Sequence, residues 1–158
     1  MAIRNIVIEP DPVLHEVAKE VTKFNANLHK LLDDMADTMY YAEGVGLAAP
    51  QVGILKRVIV VDVGDEHGLI EMVNPVMVEH SGEQLGPEGC LSIPGINGEV
   101  RRYQKIKVAG MDRFGKPFEM VAEDFLARAF QHEIDHLNGV LFTSIADSVY
   151  EISQQDEE

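Results

Sequence analysis

The sequence predicts an α+β domain: short, mostly antiparallel strands around a central helix, with a second helix near the N-terminus. Three observations predict it. Residues 25–43 and 125–137 carry apolar side chains at helical spacing. The segments between them are β-branched or alternate apolar with charged residues, and Gly and Pro break them into short lengths. The chain has 158 residues without an internal repeat, linker or low-complexity stretch, which fits one domain.

Taken in order, residues 1–24 read as an extended arm and a short helical piece, with Pro10 and Pro12 near the break and Leu14, Val17 and Val21 as apolar anchors. Asn25 is a natural N-cap for the first helix, whose buried stripe is Leu28, Leu31, Leu32, Met35 and Met39. Gly44 stands where a helix stop belongs. Gly44 to Gly53 is too rich in Gly, Ala and Pro for regular structure of any length and suits close approach of backbone to a ligand. Arg57–Val63 is an apolar run expected to be a buried strand, and further strand material lies in 69–83. Residues 105–112 and 117–122 form a hairpin around Arg113-Phe-Gly-Lys116. The domain is expected to occupy residues 1–147, leaving 148–158 as a short acidic tail whose last residues, 154–158, read as frayed and solvated.

The last helix carries the chemistry. Gln131-His-Glu-Ile-Asp-His136 sets two imidazoles four residues apart on one face, able to grip a single metal ion, with Glu133 beside them as a base for water on that metal. Phe125, Ala129, His132 and His136 follow one stripe, and Leu126, Phe130, Glu133 and Leu137 the next. A glutamate on so apolar a helix needs a partner or a proton.

Composition narrows the function. A net charge of −14 argues against binding a nucleic-acid backbone. No stretch resembles a membrane span or signal peptide, and the single cysteine excludes an internal disulfide, so a cytoplasmic protein is expected.

A catalytic zinc-type site commonly takes three protein ligands. In metalloproteases with an extended HExxH motif the third is a histidine six residues after the second, but that position here is Phe142. Only 22 residues follow His136, which leaves little room for the distal glutamate ligand of another protease group, with Asp147 and Glu151 as its candidates. Cys90 is the stronger candidate, in Pro87-Glu-Gly-Cys-Leu-Ser-Ile-Pro94, since a thiolate joins two imidazoles well on Zn²⁺ or Fe²⁺.

Three segments, Gly44-Val-Gly-Leu-Ala-Ala-Pro-Gln51, Glu88-Gly-Cys-Leu-Ser92 and Gln131–His136, together resemble the peptide deformylases over residues 5–146. The resemblance implies a hydrolase that removes the N-formyl group from nascent formylmethionyl peptides and releases formate. It implies one divalent metal ion, Fe²⁺ physiologically with Zn²⁺ or Ni²⁺ as substitutes, held by Cys90, His132 and His136. Glu133 is the implied general acid and base, and Gln51 with the Leu91 N–H the implied donors to the formyl oxygen. Gly46 and Gly89 are implied backbone contacts to the substrate. Val45, Phe125, Arg128 and Ala129 are the implied lining of the methionine pocket. The implied partners are nascent peptides and the ribosome, with the chain a monomer. Some relatives dock on the ribosome through a basic C-terminal helix, and the acidic end here does not match that mode. The alternative reading is an HExxH metallopeptidase, and a third is a structural metal site. His15, His29, His67 and His80 lie in no motif and are expected at the surface. Glu43 and Arg102, flanking the two loops, are expected to form an ion pair.

Overall fold

The N-terminal arm is extended but for one 3₁₀ turn at Pro12–His15. Leu14 and Val21 are buried as expected, whereas Val17 is exposed and Ala18 takes its place in the core. The backbone is extended at that point, with the Ala18 N–H on the Leu137 carbonyl, so helical spacing does not apply. The computed structural model describes residues 2–152.

Helix α1 (Ala26–Tyr41) begins where the Asn25 side chain accepts from the Leu28 amide. Its end differs from the expectation. Glu43, not Gly44, occupies the left-handed position, at φ 59°. The amides of Gly44 and Glu43 close back on the carbonyls of Met39 and Tyr40, a Schellman pattern with the glycine one residue late.

The Gly/Ala/Pro segment is more regular than its composition predicts. It forms β1 (Gly46–Ala48) and a 3₁₀ turn, Ala49–Val52. Beyond it come β2 (Val58–Val61), β3 (Ile70–Ser81), β4 (Gln84–Cys90), β5 (Ile93–Arg102), β6 (Lys105–Met111) and β7 (Pro117–Glu123). Helix α2 (Asp124–Leu137) and β8 (Ser148–Glu151) complete the chain. All strand pairings are antiparallel, in a five-stranded sheet ordered β1-β2-β3-β6-β7 and a three-stranded sheet ordered β4-β5-β8.

All four residues of β2 are fully buried because a helix covers each face of the larger sheet. Val58 and Val60 pack with Leu31, Leu32, Met35 and Met39 of α1, while Ile59 and Val61 pack with Leu126, Phe130 and Leu137 of α2. The opposite side of α2 meets β4 and β5 through Arg128 and His132. The central helix therefore lies between two sheets, and the α+β expectation holds.

One boundary needs correction. Residues 148–151, assigned from sequence to the short C-terminal tail, pair as β8 with β5 from Ile96 to Glu99. An edge strand whose four side chains are all exposed has no buried face to give it a periodic signal. The acidic residues 154–158 lie outside the described residues. No described helix is long and apolar enough to cross a membrane.

Candidate active site

Each functional side chain is delivered by a different local device. His132, Glu133 and His136 project from the middle and last turns of α2, all buried. Cys90 ends β4, where the pairing with β5 slips between Gly89 and Cys90 and turns the thiol out of the strand register. Gln51 sits in the 3₁₀ turn after β1. These three pieces meet. One ligand atom each from Cys90, His132 and His136 falls within a 4.8 Å group, and the Cys90 Sγ lies 3.3 Å from His136 Nε2.

The ring of His132 is aimed by a carboxylate behind it. Its Nδ1 is 2.8 Å from Glu88 Oε1, so the Nδ1–H points there and Nε2 is the nitrogen turned toward the thiol side. Arg102 forks onto Glu88 through two bonds of 2.8 Å and reaches Asp135 at 2.5 Å, and Arg128 adds a third bond to Glu88 at 2.7 Å. Burial pushes the Glu88 carboxyl up, but the hydrogen bonds from Arg102 and His132 outweigh it and hold the group at about 2. Burial also keeps His136 well below the usual imidazole range, in the neutral form a metal requires.

Glu133 and the Nδ1 of His136 stand apart in this paired neighbourhood. Glu133 is buried, its Oε1 has no hydrogen-bond partner among the described residues, and burial raises its carboxyl to about 7. A carboxylate that close to neutral pH and that free can take and return a proton. Gly46 makes the space: a Cβ there would stand 2.6 Å from Glu133 Oε2. The donor set fits a divalent ion of the Zn²⁺ or Fe²⁺ type, because a soft sulfur and two neutral-capable imidazoles converge beside an unpaired carboxyl.

A cavity of about 400 Å³ opens onto the group, and Val45, Gly46, Gln51, Gly89, Leu91, Phe125, Arg128 and Ala129 all line it. The structure thus brings the implied ligands, acid, donors and pocket lining to one place. They are not equivalent there. Ala129 is buried, while Val45 and Phe125 are partly exposed at the rim. The Arg128 guanidinium is already engaged by Glu88 and by the carbonyls of Gly86 and Val100, so its part is to brace the wall.

Arg102 does not pair with Glu43, since among the described residues its ion pairs are with Glu88 and Asp135. Burial explains the choice. Arg102 is inside the protein, where Glu88 and Asp135 face it, and Glu43 is on the surface. Of the four unassigned histidines, His15, His67 and His80 are exposed or partly so, but half-buried His29 bonds the Arg113 carbonyl at 2.8 Å.

Sequence reasoning missed the supporting residues Glu88, Arg102, Asp135 and Ser92. The one local signal was Glu88 two residues before the cysteine.

A soft-donor triad on an HExxH helix, with an unpaired buried acid and an open cavity, is the equipment of a metal-dependent hydrolase. The chain belongs to the polypeptide deformylase family, whose model matches residues 3–151. It is 55% identical to the peptide deformylase of Pelotomaculum thermopropionicum over 99% of this chain and all of that one. Peptide deformylase 1 of Bacillus subtilis is also 55% identical, over 95% of this chain and 94% of its own length. Among solved structures, the Thermotoga maritima peptide deformylase superposes with a TM-score of 0.88 at 44% identity, covering 97% of this chain and 99% of that one.

Proposed function

We propose that Cys90, His132 and His136 hold the metal of a deformylase reaction in which Glu133 is the proton carrier and Gln51 and Leu91 receive the formyl oxygen. The protein is an enzyme of the deformylase family, a metal-dependent hydrolase that removes the formyl group from nascent peptides. The observation that carries the residue assignment is the 4.8 Å convergence of thiol and imidazoles beside the buried Glu133 carboxyl, whose Oε1 has no partner among the described residues.

Fe²⁺ is the ion proposed, with Zn²⁺ and Ni²⁺ able to take the same donors. Bound there, it supplies Lewis acidity toward water and toward the formyl carbonyl. Glu133 takes the proton of the attacking water, and the same carboxyl then protonates the departing amine as the C–N bond breaks. The products are formate and a free N-terminal amine. As negative charge grows on the formyl oxygen, the Gln51 side-chain N–H and the Leu91 backbone N–H donate to it. One such donor is worth about 2.7–4 kcal/mol. The substrate's methionine side chain fills the space between Val45, Phe125 and Ala129, and Gly46 and Gly89 let the peptide backbone approach. We read the enzyme as a cytoplasmic monomer that meets its substrate as the chain leaves the ribosome.

The metallopeptidase reading loses its third histidine to Phe142, which is buried and stacked near the His132 ring. Formate release from formyl-Met-Ala by protein prepared anaerobically with Fe²⁺ is the deciding measurement. Cleavage of the Met-Ala bond without formate would replace the deformylase reading by the peptidase one.

A further inference from the structure

We infer that Ser92 is a positioning residue that sets the plane of the Gln51 carboxamide, so that one of its N–H bonds is held facing the reacting carbonyl. The inference rests on the deformylase reading above, in which Gln51 donates to the formyl oxygen.

The Gln51 side chain is buried, and its amide is fixed at both ends. Oε1 accepts from the Ala48 backbone N–H at 3.0 Å, which can only donate, so the oxygen end is defined. Nε2 has two hydrogens. One is donated to the Ser92 Oγ, 3.1 Å from Nε2, and the other faces the Cys90 Sγ, 3.5 Å from Nε2, the direction of the proposed metal ligands. A single bond at Oε1 leaves the amide free to rock about it, whereas a second at Nε2 fixes the plane and hence the direction of the remaining N–H.

Ser92 is well placed to be that second point. It is fully buried, with no water to compete for its hydroxyl. Its backbone is tied to the same strap as Gln51: Val7 donates to the Gln51 carbonyl at 2.7 Å and Glu9 to the Ser92 carbonyl at 2.9 Å. The two loops are thus held at a set separation by residues that touch neither the metal ligands nor the cavity. An oxyanion donor acts by being oriented before charge develops, so loss of orientation costs rate without removing the donor.

The test is a double-mutant cycle with Ser92→Ala and Gln51→Ala on the metal-loaded enzyme, with formyl-Met-Ala as substrate. Gln51→Ala alone is expected to lower kcat about 10²–10³-fold, and Ser92→Ala about tenfold, an intermediate loss for a donor kept but no longer aimed. KM and metal content should change little. In the Gln51→Ala background, Ser92→Ala should then cost nothing further. Equal losses in both backgrounds would mean that Ser92 acts structurally, and would overturn the inference while leaving the reaction in place. A Gln51→Ala enzyme with normal kcat would overturn the role of Gln51 and the inference with it. Independently of turnover, nitrogen relaxation of the Gln51 Nε2 group in the zinc form should show an ordered side chain that becomes mobile in Ser92→Ala. A side chain equally ordered in the variant would also count against the inference. Ser92→Gly removes the same oxygen and takes its place in the cycle should Ser92→Ala not fold.

Discussion

Glu133 carries two demands in one side chain, and they pull in opposite directions. The base function proposed for it needs the charged form, while its burial penalises that form and lifts the carboxyl to about 7. Glu133→Gln should keep the metal and lose turnover by about 10²–10⁴-fold, checked by metal analysis beside formate release. Removing the metal exposes the other side of the balance. The folded carboxyl titrates above its ordinary value of 4.5, so its contribution to stability is fully present below that value and is lost as pH rises through 7. Metal-free Glu133→Gln should therefore match the wild type near pH 4 and exceed it at pH 8 by up to about 3 kcal/mol in urea unfolding. A variant equally stable at both pH values would show that the buried carboxyl is not strained. Cys90→Ser exchanges a soft ligand for a poor one and should weaken metal binding sharply, read as occupancy after dialysis against a chelator.

At the scale of the element, α1 ends in a Schellman motif whose left-handed position holds a glutamate. A non-glycine residue at φ 59° costs on the order of 1 kcal/mol. Glu43→Gly should accordingly raise stability by roughly 0.5–1 kcal/mol, measured as a shift of the urea midpoint at unchanged slope. Helix α2 has the opposite character, with the stripe Phe125, Ala129, His132 running from the cavity rim to the ligands. Ala129→Phe should fill the cavity beside the metal without touching a ligand, at a cost of about 1–3 kcal/mol in kcat/KM for formyl-Met substrates. Equal losses for formyl-Met and formyl-Gly peptides would remove Ala129 from the side-chain pocket.

For the whole molecule, the two sheets divide the labour. The larger sheet, with a helix on each face, supplies the apolar core, and the smaller one holds Cys90 and Glu88 against α2. The smaller sheet is closed on one side by β8, which bonds β5 from Ile96 to Glu99. Ending the chain after Asp147 should raise hydrogen exchange of the β5 amides in that stretch while the β2 and β3 amides stay protected. Protection unchanged in β5 would mean that β8 contributes nothing to the smaller sheet.

The sequence by itself determined the elements with strong local periodicity and the residues that carry chemistry. The α1 stripe, the Val58–Val61 strand, the 105–122 hairpin and the HExxH spacing are all written in neighbours a few positions apart, where helix and strand geometry dictate which side chains share a face. Cys90 stood out by its glycine-flanked motif beside the HExxH helix, whereas the part proposed for Gln51 rested on the resemblance to the deformylases. Tertiary structure alone decided what required residues distant in the chain to meet. It chose Glu88 and Asp135 over Glu43 as partners of Arg102, turned 148–151 into a strand, and set Ser92 against Gln51 across 41 positions. The physical reason is that a buried charge or amide takes the partner its burial site offers, and that site is assembled only when the sheets close around α2.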